Sequence, residues 1–183
     1  MLSIDQPSIT GANRTVISDA KSCQSWIAAL PLTNAPAAQT EIQLQLELLN
    51  YSSALSGHER WLILEQLREP IQSVQDMVAQ KYLGKPIPME AGELSLWKKS
   101  LELWQDFAQG YQICLQNYQD NDQGLADVAP AILQRLLRLI GTQMACHQQT
   151  YQSVPDALWK QLHLTYALAE TLHLNKAALK DPL

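Results

Sequence analysis

The chain has 183 residues, 46% hydrophobic and 17% charged, with a net charge of −5. That length suffices for one domain with a proper core. An acidic balance with scattered basic residues argues against a polyanion-binding protein, which shows a basic face.

Cys23, Cys114 and Cys146 stand far apart with no C-x-x-C. An odd, unpatterned count suits reduced core thiols in a cytoplasmic protein. The first twenty residues hold no apolar run of the signal-peptide kind. No apolar run approaches the roughly 20 residues of a membrane span. The best candidate, "AILQRLLRLIG", is interrupted by Arg135 and Arg138. The expectation is a soluble protein without membrane insertion. The 21 glutamines keep helix surfaces solvated with little field, so long-range steering should be weak.

In chain order, residues 1–18 are rich in Ser, Thr, Asn and Gly and read as a flexible N-terminal arm. Residues 19–183 read as a single helical domain. Asp19 is placed to cap a short helix with Trp26, Ile27 and Leu30 inward and Pro31 at its end. "IQLQLELL" (Ile42 to Leu49) alternates like a strand, but Gln, Glu and Leu favour helix and β-branched residues are nearly absent. We read a helix from about Pro36 to Leu49, with Thr40 and Gln43 as a capping box. A third helix starts near Ser56, with Trp61, Leu64, Leu67, Ile71, Val74, Val78 and Tyr82 on one face, and ends at Gly84. Pro70 predicts a kink or break near Arg68-Glu69.

The fourth helix has the strongest period: Leu94, Trp97, Leu101, Trp104, Ala108, Tyr111, Leu115 and Tyr118 alternate spacings of three and four. Leu103, Phe107 and Cys114 widen that seam, which predicts burial against two neighbours. "QDNDQG" (119–124) is a turn. The fifth helix runs from about Asp127 to Tyr151 with Ile132, Leu136, Leu139, Ile140 and Met144 inward and Pro130 in its first turn. Asp156 is expected to cap the sixth. The fold class is therefore all-α: an antiparallel bundle or helical-hairpin stack of about six helices.

The sixth helix carries the candidate surface. Trp159, His163, Tyr166, Glu170 and His173 fall within about 80° of one another at helical pitch. Rings and imidazoles so grouped suit a protein partner. The same stripe also describes a core boundary, with half-buried rings and wet polar tips. Leu158, Leu162, Leu168, Ala169 and Leu172 occupy the adjoining arc.

Glu170-x-x-His173 has the spacing of di-iron bundles, but those need a second such pair and two further carboxylates. His163 is about 10 Å along the helix from Glu170, too far to share an ion. Cys146 and His147 diverge by about 100° and cannot form a local nucleophile–base pair. "DNDQG" lacks the Gly and Glu positions of a calcium loop. No catalytic residue, metal site or cofactor is expected, and the chain reads as non-enzymatic. The "GKPIPM" loop (84–89) reads as a stiffened connection. Arg135 and Arg138 share a face and could grip a phosphate group or pair with carboxylates.

Trp159, Leu162 and Tyr166 also match the first helix of a tetratricopeptide repeat, but no period of that length recurs. A fuller likeness covers most of the chain. "WIAALPLTNAPAAQTEIQLQLELLN", "LEQLREPI", "YLGKPIPM" and above all "ALWKQLHLTYALAE" with "LKDPL" resemble the helical N-terminal region of proteobacterial PilZ-type proteins. The resemblance implies a helical interaction or regulatory module in cyclic di-GMP signalling, and a longer architecture continuing past Leu183 into a PilZ domain. PilZ domains bind cyclic di-GMP through R-x-x-x-R and [DN]-x-S-x-x-G. Neither motif is present, and Arg135 and Arg138 are three apart, so direct cyclic di-GMP binding is not carried over to any residue. A protein partner or self-association through the aromatic seam is expected, as is the alternative of a scaffold or repeat-like adaptor. A small metal protein or enzyme is the remaining alternative.

Overall fold

The computed structural model describes residues 17–82, 91–119, 125 and 127–172. Most of the expected arm at 1–18, the loop at 84–89, turn residues 120–124 and His173 lie outside them. Among the described residues the chain forms six helices and no strand: α1 (Ala20–Ala28), α2 (Ala35–Tyr51), α3 (Gly57–Tyr82), α4 (Ala91–Gln119), α5 (Ala129–Tyr151) and α6 (Asp156–Thr171). The expected all-α class is the one observed. α4 packs against α2, α3 and α5; α1 packs chiefly on α3, and α6 on α5.

Local chemistry explains most boundaries. Asp19 caps α1 as expected, its carboxylate accepting from the Ser22 amide at 2.7 Å. The cap of α2 is Asn34, which accepts from the Ala37 amide at 3.3 Å. Thr40 is not a cap: it sits inside α2 and its hydroxyl donates to the Pro36 carbonyl at 3.0 Å. The reciprocal capping box belongs to α3 instead. Ser56 Oγ accepts from the Glu59 amide at 3.1 Å, and Glu59 Oε1 accepts from the Ser56 amide at 3.0 Å.

Of the kink or break expected at Pro70, no break occurs: α3 runs continuously through it. An interior proline costs roughly 3 kcal/mol. Leu64 and Leu67 before it, and Ile71, Val74 and Val78 after it, are all buried. Each contributes about 1.5–3 kcal/mol, so packing on both sides outweighs the local penalty.

The α4 seam is the centre of the core. Trp97, Leu101, Trp104, Ala108, Tyr111 and Leu115 are buried, as are Leu103, Phe107 and Cys114. Tyr111 meets Trp61 edge-on at 6.0 Å and Phe107 at 5.1 Å. Trp97, Leu101, Trp104, Val78 and Cys146 form a second, smaller cluster. Ile17, just before α1, is buried too, and its amide donates to Gln45 Oε1 at 3.2 Å.

Several buried polar groups find partners across helices. Gln75 and Ser100, both fully buried, bond reciprocally: Gln75 Nε2 donates to the Ser100 carbonyl at 2.8 Å, and Ser100 Oγ to Gln75 Oε1 at 3.0 Å. Arg60 is buried and closes α2. Its guanidinium donates to the carbonyl of Leu49, which also accepts from the Ser52 amide, and at 2.8 Å to the carbonyl of Ser52, at the end of that helix. Arg60→Ala removes the donor and leaves those carbonyls enclosed. We expect a loss of roughly 3 kcal/mol, read as a lower urea midpoint at unchanged slope.

Asp106 gives the fold a pH dependence. Its carboxyl is pushed up from 3.8 to about 6, first by burial and then by the charges of Glu47 and Glu102, against a hydrogen bond to Gln43. A raised carboxyl favours its neutral form in the fold, so stability is fullest at low pH and is lost as pH rises through about 6. Asp106→Asn mimics the neutral form. It should melt higher than the native protein at about pH 7.5, the gap closing as pH falls towards about 4.

Candidate functional site

α6 starts from Pro155, whose extended backbone precedes the helix and whose carbonyl accepts from the Leu158 amide at 3.0 Å. Asp156 is not the cap. It is the first helical residue, where its charge favours the amino end of the helix. The extended conformation that a cap needs falls to Pro155, which has no side chain able to accept.

Leu158, Gln161, Thr165 and Ala169 are buried, at spacings of three and four. This arc faces the body of the protein. Leu162, Leu168 and Leu172 pack at its margins. Gln161 Nε2 donates to Gln112 Oε1 of α4 at 3.1 Å, and Thr165 Oγ1 donates back to the Gln161 carbonyl at 2.7 Å. The aromatic and titratable stripe lies roughly a quarter-turn away from that arc. Trp159 is 43% exposed, and His163 and Glu170 are exposed. Tyr166 is half-buried against the main core. The stripe is therefore a surface anchored at one edge, its Trp outward, and His173 lies outside the described residues.

The thiols are structural. Cys23, Cys114 and Cys146 are buried, Cys114 Sγ donates to the Gly57 carbonyl at 3.7 Å, and burial pushes Cys23 and Cys146 each up to about 11. His147 does not serve Cys146. It stacks near Tyr151 at 5.8 Å, and burial lowers its pKa. Among the described residues no group of three His, Cys, Asp or Glu could hold a metal ion.

A second constellation was not read as a unit from the sequence. Glu65 of α3 stands at the wall of a cavity of about 600 Å³ between α3, α4 and α5. The buried Tyr111 donates its hydroxyl to Glu65 Oε2 at 2.7 Å. Arg135 of α5 donates Nη2 to Oε1 at 3.2 Å and Nε to Oε2 at 3.4 Å. Arg68 donates Nη1 to Oε1 at 3.3 Å. Burial and the Glu65 charge both hold the Tyr111 hydroxyl protonated, far above the ordinary phenol range. Of the two arginines singled out in the sequence, Arg135 is thus ion-paired, and Arg138 is exposed on the cavity rim. Glu65, Arg68 and Tyr111 had no shared signal, because they come from two helices and 46 residues separate Glu65 from Tyr111.

Comparison with known proteins bears on the whole chain. Residues 21–183 match the family described as "Cyclic-di-GMP receptor FimW, N-terminal domain". The cyclic-di-GMP receptor FimW of Pseudomonas aeruginosa is 26% identical over 165 residues, which make up 89% of this chain and 27% of that protein. The chain thus spans about a quarter of that relative's length. No solved structure matches significantly. The match takes in all of α2 to α6 and includes the α6 segment on which the resemblance in the sequence rested. The chain belongs to the FimW N-terminal domain family.

Proposed function

We propose that this chain is a non-catalytic regulatory module of cyclic di-GMP signalling, a single helical unit over residues 19–183, and that the outward stripe of α6 is where it meets a protein partner. The signalling role rests on the family. The contact surface rests on one observation: Trp159, the largest side chain on α6, is 43% exposed while its neighbour Leu158 is buried. A tryptophan held outward on a docked helix, on the same face as an imidazole and a carboxylate, has the make-up of an interface anchor with a polar rim. The PilZ ligand motifs are missing from the sequence, so we assign the module protein contact rather than cyclic di-GMP capture.

Self-association through the α4 seam has less to support it. Trp97, Trp104 and Tyr111 are consumed by packing within the chain, which leaves that face nothing to offer a second copy.

The test separates anchor from core on one helix. Trp159→Ala should keep the helical circular dichroism and lose little stability, whereas Leu158→Ala should cost about 2–5 kcal/mol as a core truncation. Bait carrying Trp159→Ala should lose a partner that the native chain captures from its own bacterium, by about tenfold or more, as for a hot-spot aromatic. Leu164→Ala, exposed on the other flank of α6, should retain it. Equal capture by the Trp159 variant would remove the stripe as the contact surface.

A further inference from the structure

We propose that the cleft between α3, α4 and α5 is a binding site for a phosphate monoester of mononucleotide size, and that Glu65 occupies its anion seat in the unliganded chain. This inference stands apart from the α6 surface and does not depend on it.

The seat is defined by its donors. Four of them converge on one carboxylate: the Tyr111 hydroxyl at 2.7 Å, Arg135 through Nη2 and Nε at 3.2 and 3.4 Å, and Arg68 Nη1 at 3.3 Å. Two guanidiniums and a hydroxyl around a single anion form an oxyanion-recognition geometry. Tyr111 is fully buried, so its hydroxyl has a fixed aim. Glu65 and Arg135 keep side-chain exposures of 23% and 26%, which leaves the carboxylate room to swing towards solvent.

Three features favour an outside ligand over a purely internal bridge. The cavity beside the seat holds about 600 Å³, within the range of small-molecule sites and far more than a carboxylate fills. Its lining includes the apolar Trp104, Phe107 and Leu139, which suit a planar base, beside the polar Glu69, Gln72 and Thr142. Arg138 lies exposed on the rim and makes no ion pair among the described residues. A monoester carries close to two negative charges and three terminal acceptor oxygens. It can therefore displace a singly charged carboxylate from two guanidiniums, while a phosphodiester, with one charge per phosphate, has no such advantage.

Isothermal titration calorimetry of the full chain with guanosine 5′-monophosphate tests this. We expect saturable binding, none with guanosine, and weaker binding of cyclic di-GMP, the diester. Glu65→Gln keeps the side-chain shape but empties the seat of its charge, and should bind the monophosphate about tenfold more tightly. Arg135→Ala should abolish binding. Arg138→Ala, an exposed position that leaves the core untouched, should weaken it several-fold, and it carries the test if Arg135→Ala fails to fold by circular dichroism. No heat with either the native chain or Glu65→Gln would overturn the proposal. So would binding that Arg138→Ala leaves unchanged while folded, or tighter binding of cyclic di-GMP than of the monophosphate.

Discussion

α4 is enclosed by α2, α3 and α5, and that enclosure governs the rest of the structure. A polar group on the buried part of such a helix is cut off from water and is stabilised by a partner on a neighbouring helix. Ser100 meets Gln75, Tyr111 meets Glu65, and the Asp106 carbonyl accepts from Asn50 at 3.0 Å. Close approach also demands small residues. A side chain at Gly110 would begin 2.9 Å from a Leu64 methyl and 3.3 Å from Asn50 Oδ1. Glycine costs helix stability in isolation, and here the price is offset by letting α2 and α3 close on the seam.

The same constraint gives the molecule its two candidate surfaces. Tyr111 is in the seam because its ring fills the core against Trp61 and Phe107. Its hydroxyl must then be satisfied at the edge of that core, and Glu65 does so. A carboxylate in that place needs cations, and Arg135 and Arg68 supply them. The polar cleft is thus a consequence of how the aromatic seam ends. α6 arises differently: it packs chiefly on α5, and Gln161 bonds to Gln112 of α4. Trp159 stands on the exposed side of α6 among the described residues.

Much of this was legible in the sequence, for physical reasons. A seam that keeps its period across α4 reports burial on successive turns, and Trp97 to Leu115 are buried as their spacing requires. The six helices follow from such periods and from the Gly and Pro residues at their joints. Caps were less legible, because T-x-x-Q and S-x-x-E look alike without knowing where the chain turns. Thr40 lies inside α2, while Ser56 begins α3. That Pro70 makes no break was not legible, because a local rule cannot weigh the long-range packing of Leu67 and Ile71. Glu65 was invisible as a hub, since on its own helix it is one carboxylate among several. The outward setting of Trp159 needed the docked helix. A stripe's angular width comes from sequence, but which edge of it meets the core depends on α5.

α5 is the element the two surfaces share. It carries Arg135 and Arg138 into the cleft and gives α6 its docking face. Its inward residues Ile132, Leu136, Ile140 and Met144 are buried along most of its length, so it moves as a unit or not at all. A ligand that displaces Glu65 changes what Arg135 is bound to without removing any of that packing. The shift it can impose on α6 is therefore limited to the difference in its affinity for the two settings of α5. A strong effect at Trp159 requires α5 to have two packings of similar energy, and its largely apolar buried face argues for one. On this architecture the proposed cleft site and the proposed α6 surface, both braced by α5, would act largely independently, so a ligand in the cleft would bear on a partner chiefly when that partner reaches the cleft itself.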